Sequence, residues 1–347
     1  MTQVTQNEVL GALRGLVASE MVGGIAIEHG SGGAVVGVTL EVDPRKASDL
    51  EPMRQEAEKK IARISGVSRV SVILTAHRAA PKITPQARPE HKPVKIHLPQ
   101  VKHIVAVASG KGGVGKSTTS VNLAIALKQN GLKVGLLDAD IYGPSIPRMM
   151  NLKGKPQTTD DKKMVPMERY GISVMSMGFL IAEDAPMIWR GPMVHSAITQ
   201  MFRDVEWGEQ DILVVDLPPG TGDAQLTMAQ SVELDGVVIV STPQDIALID
   251  ARKGLNMFRK VDVPVLGIIE NMSYYQCPQC GTRSEIFGHG GAREEAKTLG
   301  VPFLGEIPLD IVVRQTSDAG EPITEAQPDS AFAKSYREIA KQLHEQI

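Results

Sequence analysis

Residues 109–120 read SGKGGVGKSTTS. They contain G-x-x-x-x-G-K-S from Gly110 to Ser117, directly after the apolar run HIVAVAS (103–109) and ahead of a stretch with helical character. Strand, glycine-rich turn and helix in that order form the context a phosphate-binding loop requires. Gly110, Gly112, Gly113 and Gly115, with Val114 among them, let the backbone wrap an anion with its N–H groups inward. The helix that follows adds positive partial charge at its N-terminus. Lys116 is expected to reach the β- and γ-phosphates, Ser117 to ligate Mg²⁺ through its hydroxyl, and Thr118 to donate to the α-phosphate.

Acids belong beside such a loop, around the metal ion and the attacking water. GLLDADIYGPS (135–145) ends an apolar run with Asp138 and Asp140, and DILVVDLPPGTGD (211–223) ends another with Asp216. Carboxylates at the C-terminal ends of parallel strands face the same crevice as the loop. Asp216 suits the acid that holds Mg²⁺ from behind an apolar strand, and Asp140 is placed to hold the attacking water. A helix cap or turn former is the other reading of either acid.

Outward from the loop, nearly continuous apolar runs recur: KVGLLDAD, ISVMSM, DILVVDLP, GVVIVSTP and VPVLGIIENM. Strands buried on both faces have this composition. Helical stretches separate most of them, such as STTSVNLAIALKQNG with Gly131 as its stop. The expected fold is α/β: a P-loop NTPase with a mostly parallel sheet flanked by helices, over residues 101–347. A small α+β module is expected at 1–79, with helices in NEVLGALRGLV and DLEPMRQEAEKKIARIS and strands in AVVGVTLEV and VSRVSVILTA. Between them, residues 80–100 carry Pro81, Pro85, Pro89, Pro93 and Pro99 among polar groups and are expected to be a linker. The closing stretch SAFAKSYREIAKQLHEQI is expected to be a core-facing helix, with membrane docking as the other reading of its apolar stripe.

Composition removes several classes. A net charge of -3 offers no field for nucleic acid, and an aromatic content of 4% offers no stacking surface. The N-terminus is polar and no run of about 18 apolar residues occurs, so neither a signal region nor a membrane span is expected. The two cysteines, Cys277 and Cys280, are too few and too close for a disulfide framework. A reducing cytoplasm is the expected compartment.

Those cysteines form a C-P-x-C-G turn in YYQCPQCGTR. Zinc and iron–sulfur clusters both take four ligands, commonly thiolates, and one chain offers two. His289 in FGHGG is a possible third ligand or a loop residue. A redox pair, or no metal at all, are further readings. A two-fold dimer would bring two such turns together, since each residue near the axis meets its own copy.

A second lysine inside the loop, Lys111, makes the chain resemble the deviant P-loop class, the MinD/ParA and nitrogenase iron protein group. That resemblance implies a dimer sandwiching two ATP molecules, with Lys111 reaching the partner's nucleotide. It also implies an adenine-reading role for Asn271 in IIENMS, which as a residue alone is equally a turn former. The set GKGGVGKST, DADIYGPSIPRM, DLPPGTGD, ENMSYYQCPQCG and FGHGGA resembles the Mrp/ApbC family of iron–sulfur cluster carrier ATPases over about residues 100–345. The family implies a homodimer with a [4Fe–4S] cluster bridged by Cys277 and Cys280 of each subunit, slow ATP hydrolysis, and transfer to apo-proteins. The 1–79 module resembles an iron–sulfur assembly domain. Its stretch EVDPRKASDL lacks the cysteine some of those domains carry, so no cluster is expected there. The competing functions are a MinD/ParA-like positioning ATPase with structural zinc at the dimer seam and an electron-transfer reductase. Neither a basic DNA-binding surface nor widely separated cluster cysteines are present to favour them.

Overall fold

The computed structural model describes residues 4–30, 33–42, 50–75, 95–180 and 191–347. The chain divides into two compact units, Met1–Glu90 and His91–Ile347. Most of the proline-rich segment lies outside the described residues. Its end does not: Ile96 is buried and its N–H donates to the Ser231 carbonyl at 2.7 Å, within the larger unit.

In the smaller unit, α1 (Gln6–Leu13) begins at a capping box in which Thr5 and Glu8 satisfy each other's backbone N–H. Strands β1 (Val22–Gly30), β2 (Gly33–Glu41) and β3 (Val67–Thr75) form one sheet in the order β1-β2-β3, with α2 (Glu51–Ala62) between β2 and β3. Val36, Val38 and Leu40 alternate inward from β2 onto Val9, Leu13, Ala57 and Ile61 of the helices. The sequence did not announce β1, because VGGIAIEHG carries too few large apolar side chains to show an alternation.

The larger unit starts with β4 (Val101–Ala108), the loop, and α3 (Lys116–Gln129). There follow β5 (Val134–Asp138), the single turn α4 (Ile146–Met149), β6 (Met167–Arg169), β7 (Ile172–Ser176), α5 (Gly191–Arg203) and β8 (Gln210–Asp216). The second half holds α6 (Asp223–Ser231), β9 (Gly236–Ser241), α7 (Asp245–Lys260) and β10 (Val265–Asn271). A small hairpin, β11 (Tyr275–Gln276) and β12 (Arg283–Ser284), precedes α8 (Gly291–Leu299), β13 (Phe303–Ile307), α9 (Ile311–Ala319), α10 (Ile323–Ala326) and α11 (Ala331–His344).

One sheet runs β13-β10-β9-β4-β8-β5-β7-β6, and every neighbouring pair is parallel except β6 with β7. The expected α/β class is the one observed. Every residue of β5 and β9 is buried, which explains the unbroken apolar runs. The chain leaves β4 towards β5 on one side and leaves β9 towards β10 on the other, so the sheet changes direction beside β4, where ligands bind in such sheets. α3 is buried continuously from Thr119 to Leu127, pressed between the sheet and α11. The apolar stripe of α11, Tyr336, Ile339, Ala340 and Leu343, is spent in that core and is not free for a membrane. Among the described residues no helix is long and apolar enough to cross one.

Candidate functional site: phosphate loop and cysteine turn

The loop's glycines have three separate reasons. Gly113 and Gly115 stand at φ +82° and +81°, where a side chain is strained. Gly110 faces the backbone of Asp250 and Ala251 in α7 so closely that a Cβ would overlap it. At Gly115 a Cβ would also overlap the amide of Asn271. The loop is thus wedged between α7 and the end of β10.

Lys116 is only 5% exposed, and its Nζ lies 2.8 Å from Asp216 Oδ1 and 3.8 Å from Asp140 Oδ2. Asp216, fully buried, also accepts from the hydroxyls of Ser117 at 2.6 Å and Ser120 at 2.7 Å. A buried carboxylate is stable only with such compensation. Asp138 pairs with Asp216 across the β5–β8 ladder and is fully buried as well. Burial, reinforced by the charge of Asp216, pushes the Asp138 carboxyl up to about 7. Asp138 accepts from the Ser176 hydroxyl at 3.0 Å and from the N–H groups of Asp140 and Ile146 at 3.2 Å each. It therefore holds the backbone that carries Asp140. Burial also raises the Asp140 carboxyl, against the pull of Lys116.

Asp140 Oδ1 is buried without a hydrogen-bond partner. That oxygen calls for a donor such as a water, while the Ser117 hydroxyl and Asp216 are oxygens of the kind a hard divalent cation takes. No group of three or more His, Cys, Asp or Glu among the described residues could hold a metal ion unaided. Mg²⁺ suits this arrangement, because it is commonly held by one or two protein oxygens together with substrate phosphates and water.

The loop opens into a cavity of about 570 Å³. Lys111, Thr118 and Asp140 line it, and Met149, Met272, Leu309 and Val313 give it an apolar wall. Lys111 is half-buried, and its ammonium has no ion-pair partner among the described residues. Asn271 lines the cavity too, but its amide donates to the Val114 carbonyl at 2.8 Å, so it braces the loop from below.

The cysteine turn hangs from β11 and β12, paired only through Tyr275 with Ser284 and Gln276 with Arg283. The Cys277 N–H donates to the Thr282 carbonyl at 3.0 Å, and the Gly281 N–H to the Cys277 carbonyl at 2.8 Å. Gly281 at φ +71° completes the turn. Cys277 is half-buried and Cys280 exposed. A hydrogen bond between Cys280 Sγ and the Thr282 hydroxyl at 3.2 Å holds the Cys280 thiol below its ordinary range. His289, the possible third ligand, takes a hydrogen bond from Arg283 at 2.9 Å and stands 3.6 Å from Glu285. The Arg283 guanidinium stacks on the Tyr274 ring at 3.8 Å.

The fold brings Lys116, Ser117, Asp140 and Asp216 into one cluster. The cysteines lie apart from it, beyond Asn271. Three contributors escaped the sequence reading. Ser120 was one turn too deep in α3 to look functional, and the α9 wall is too distant in sequence to show. Glu270, fully buried, accepts from the Ser273 hydroxyl at 2.6 Å and the N–H groups of Gly290 and Ala292 at 3.3 and 2.7 Å. An acid ending the apolar run VLGIIEN was the available signal, the same one that marked Asp216.

The ParA family, described as NUBPL iron-transfer P-loop NTPase, matches residues 100–344. An iron-sulfur cluster transfer protein NUBPL of Dictyostelium discoideum is 55% identical over 73% of this chain and 79% of its own length. An iron-sulfur cluster carrier protein of Synechocystis is 46% identical over 95% of this chain and 92% of its own. Among solved structures, a nucleotide-binding protein from Archaeoglobus fulgidus in complex with ADP is 42% identical, with a TM-score of 0.59 over 67% of this chain and 93% of that one. The Pyrococcus furiosus cell division ATPase MinD, at 21% identity and a TM-score of 0.54, covers 71% of this chain and 100% of its own, and shares the fold. With its phosphate loop, its acids and the cysteine turn in place, the chain belongs to the ParA-type iron-transfer P-loop NTPase family.

Proposed function

We propose that the protein is an ATP-hydrolysing carrier that holds a [4Fe–4S] cluster between two copies of the chain and hands it to apo-proteins. The observation that carries this reading is the cysteine turn. It presents two thiols at the surface, one exposed and with its pKa lowered, and no third metal ligand is grouped with them among the described residues. A cluster needs four ligands, so a second copy completes the set. The names of the Dictyostelium and Synechocystis relatives support the cargo.

ATP enters the cavity with its phosphates on the N–H groups of residues 110–118. Lys116 lies at the β- and γ-phosphates, and Thr118 donates at the α-phosphate. Mg²⁺, held by Ser117 with Asp216 behind it, would supply charge neutralisation between the phosphates. Asp140 holds a water in line with the γ-phosphorus. That water's oxygen bonds to phosphorus as the bond to the ADP oxygen breaks, and ADP and phosphate leave. Lys111 is free to reach the nucleotide of the second copy, adding positive charge where the transition state is most negative. Asn271 holds the loop in shape and faces the adenine side of the cavity. The 1–79 module is a separate domain that recognises clients or assembly factors. Two free thiols suit a reducing, cytoplasmic setting.

Anaerobic reconstitution with iron and sulfide tests this. About four irons and four sulfides per two chains are expected, and Cys277→Ala and Cys280→Ala should hold none. Stoichiometric zinc with no cluster under any condition would replace the carrier reading with that of an ATPase bearing a structural metal.

A further inference from the structure

Glu270 and Asn271 are neighbours at the end of β10, and they reach in different directions. Asn271 grips the phosphate loop through the Val114 carbonyl. Glu270 grips both stems of the cysteine hairpin, through Ser273 on the way out and Gly290 and Ala292 on the way back. Ala292 opens α8, so the carboxyl of Glu270 also sits at the positive end of that helix. Met272, between the two grips and the hairpin, stands at φ +57° and lines the nucleotide cavity. A non-glycine residue in that region is held there by its surroundings and is a place where backbone strain is stored.

A second route meets at the same helix. The loop's Gly110 rests on Asp250 and Ala251 of α7, and the next residue, Arg252, makes a two-pronged bond at 2.6 and 2.7 Å to Glu295 of α8. Gly291, the first residue of α8, also packs closely on Leu248 of α7 and on the Pro243 carbonyl just before it. The loop and the hairpin therefore both rest on the end of β10 and on the α7–α8 pair, and Glu270 hydrogen-bonds to both hairpin stems.

We infer that Glu270 is a positioning residue that transmits the state of the phosphate loop to the cysteine turn within a single chain. Occupation of the loop shifts Val114 and Asn271. Glu270, on the same strand end, carries that shift to the hairpin stems and alters how the thiols are presented. This rests on the reading that the turn carries cargo, but the test does not need the cargo. Coupling between two sites is a free energy, reciprocal in affinities, and its effect on the hairpin is read here as a ratio of thiol reaction rates.

The chain's two cysteines make thiol alkylation a direct report on the hairpin. The full-length, cluster-free protein is alkylated with and without a non-hydrolysable ATP analogue and Mg²⁺. Protein concentrations are kept in the range where the rate does not depend on them, so shielding by a second copy does not contribute. In wild type the analogue is expected to change the rate by about fivefold or more. In Glu270→Ala that ratio should fall below about twofold while the analogue still binds with its wild-type Kd. Ser273→Ala, which removes one of the three bonds, should fall between. It also decides the matter if Glu270→Ala does not fold. A Glu270→Ala protein that reacts faster in both states at an unchanged ratio would show a mere structural prop and overturn the inference. So would a Ser273→Ala ratio equal to wild type, or a wild type that does not respond at all. None of these outcomes touches the iron and sulfide counts, so failure here is separable from failure of the carrier reading.

Discussion

The phosphate loop and the cysteine turn flank the end of β10 and are built on opposite terms. At the loop, Asp138, Asp216 and Lys116 are almost wholly buried, and Asp216 receives three donors at 2.8 Å or less. At the turn, Cys280 is exposed and the hairpin pairs two residues a strand. Phosphoryl transfer gains from dipoles and charges set in advance in a dry site. A cargo to be handed over must stay reachable, and reachable segments come from the less stable end of a structure. The difference predicts which substitutions harm the fold and which harm only the function.

Lys116→Ala attacks the buried side and should do most. Asp216 and Asp140 lose their cation, and breaking a buried pair costs about 3–5 kcal/mol. ATP turnover should fall by about 100-fold or more. Thermal melts and phosphate release check both.

A pair of glycines sharpens the contrast. Gly110→Ala drives a Cβ into the α7 backbone and should cost about 1–3 kcal/mol or more. Gly281→Ala, in the cysteine turn at φ +71° with open space around it, should cost about 1–2 kcal/mol. Equal denaturation midpoints for the two would break the comparison.

Asp138 gives a pH test. Its carboxyl moves from 3.8 in the unfolded chain to about 7 when folded. Between those values the folded state keeps a proton that the unfolded state has released. This group therefore disfavours folding increasingly as pH rises through that window, and its effect levels off above about pH 7. Asp138→Asn has no such proton, so its melting temperature should fall less than wild type's between pH 5 and pH 8. A steeper fall in the variant would contradict the assignment.

The smallest effect is expected at the turn. Cys277→Ala and Cys280→Ala should melt within about 0.5 kcal/mol of wild type, with ATP binding intact. A large loss of stability would mean that the turn is part of the core.

Much of this was legible beforehand where a local rule governs. The loop's spacing, Asp216 and Asp140 at strand ends, and the Cys277–Cys280 pair each declare themselves within a dozen residues. Asn271 shows the limit: its place was legible, but its bond to Val114 depends on how β10 stands against a loop 157 residues earlier. His289 looked available as a ligand until Arg283 and Glu285 engaged it. β1 stayed hidden because its half-buried residues, Val22, Ile25 and Ile27, are few and stand among exposed small ones.

The sequence by itself determined the alternation of buried strands and helices around the phosphate loop, the loop itself and the identity of the ionisable groups, because hydrophobic period, glycine placement and residue chemistry are local properties. Tertiary structure alone decided the rest. It set which acid is neutralised by Lys116, which one is pushed up to about 7 and which is left with an orphaned oxygen. It also set Glu270 between the two stems of the cysteine hairpin. Burial, pairing and electrostatic neighbourhood belong to residues far apart in sequence, and only the folded chain brings them within reach of one another.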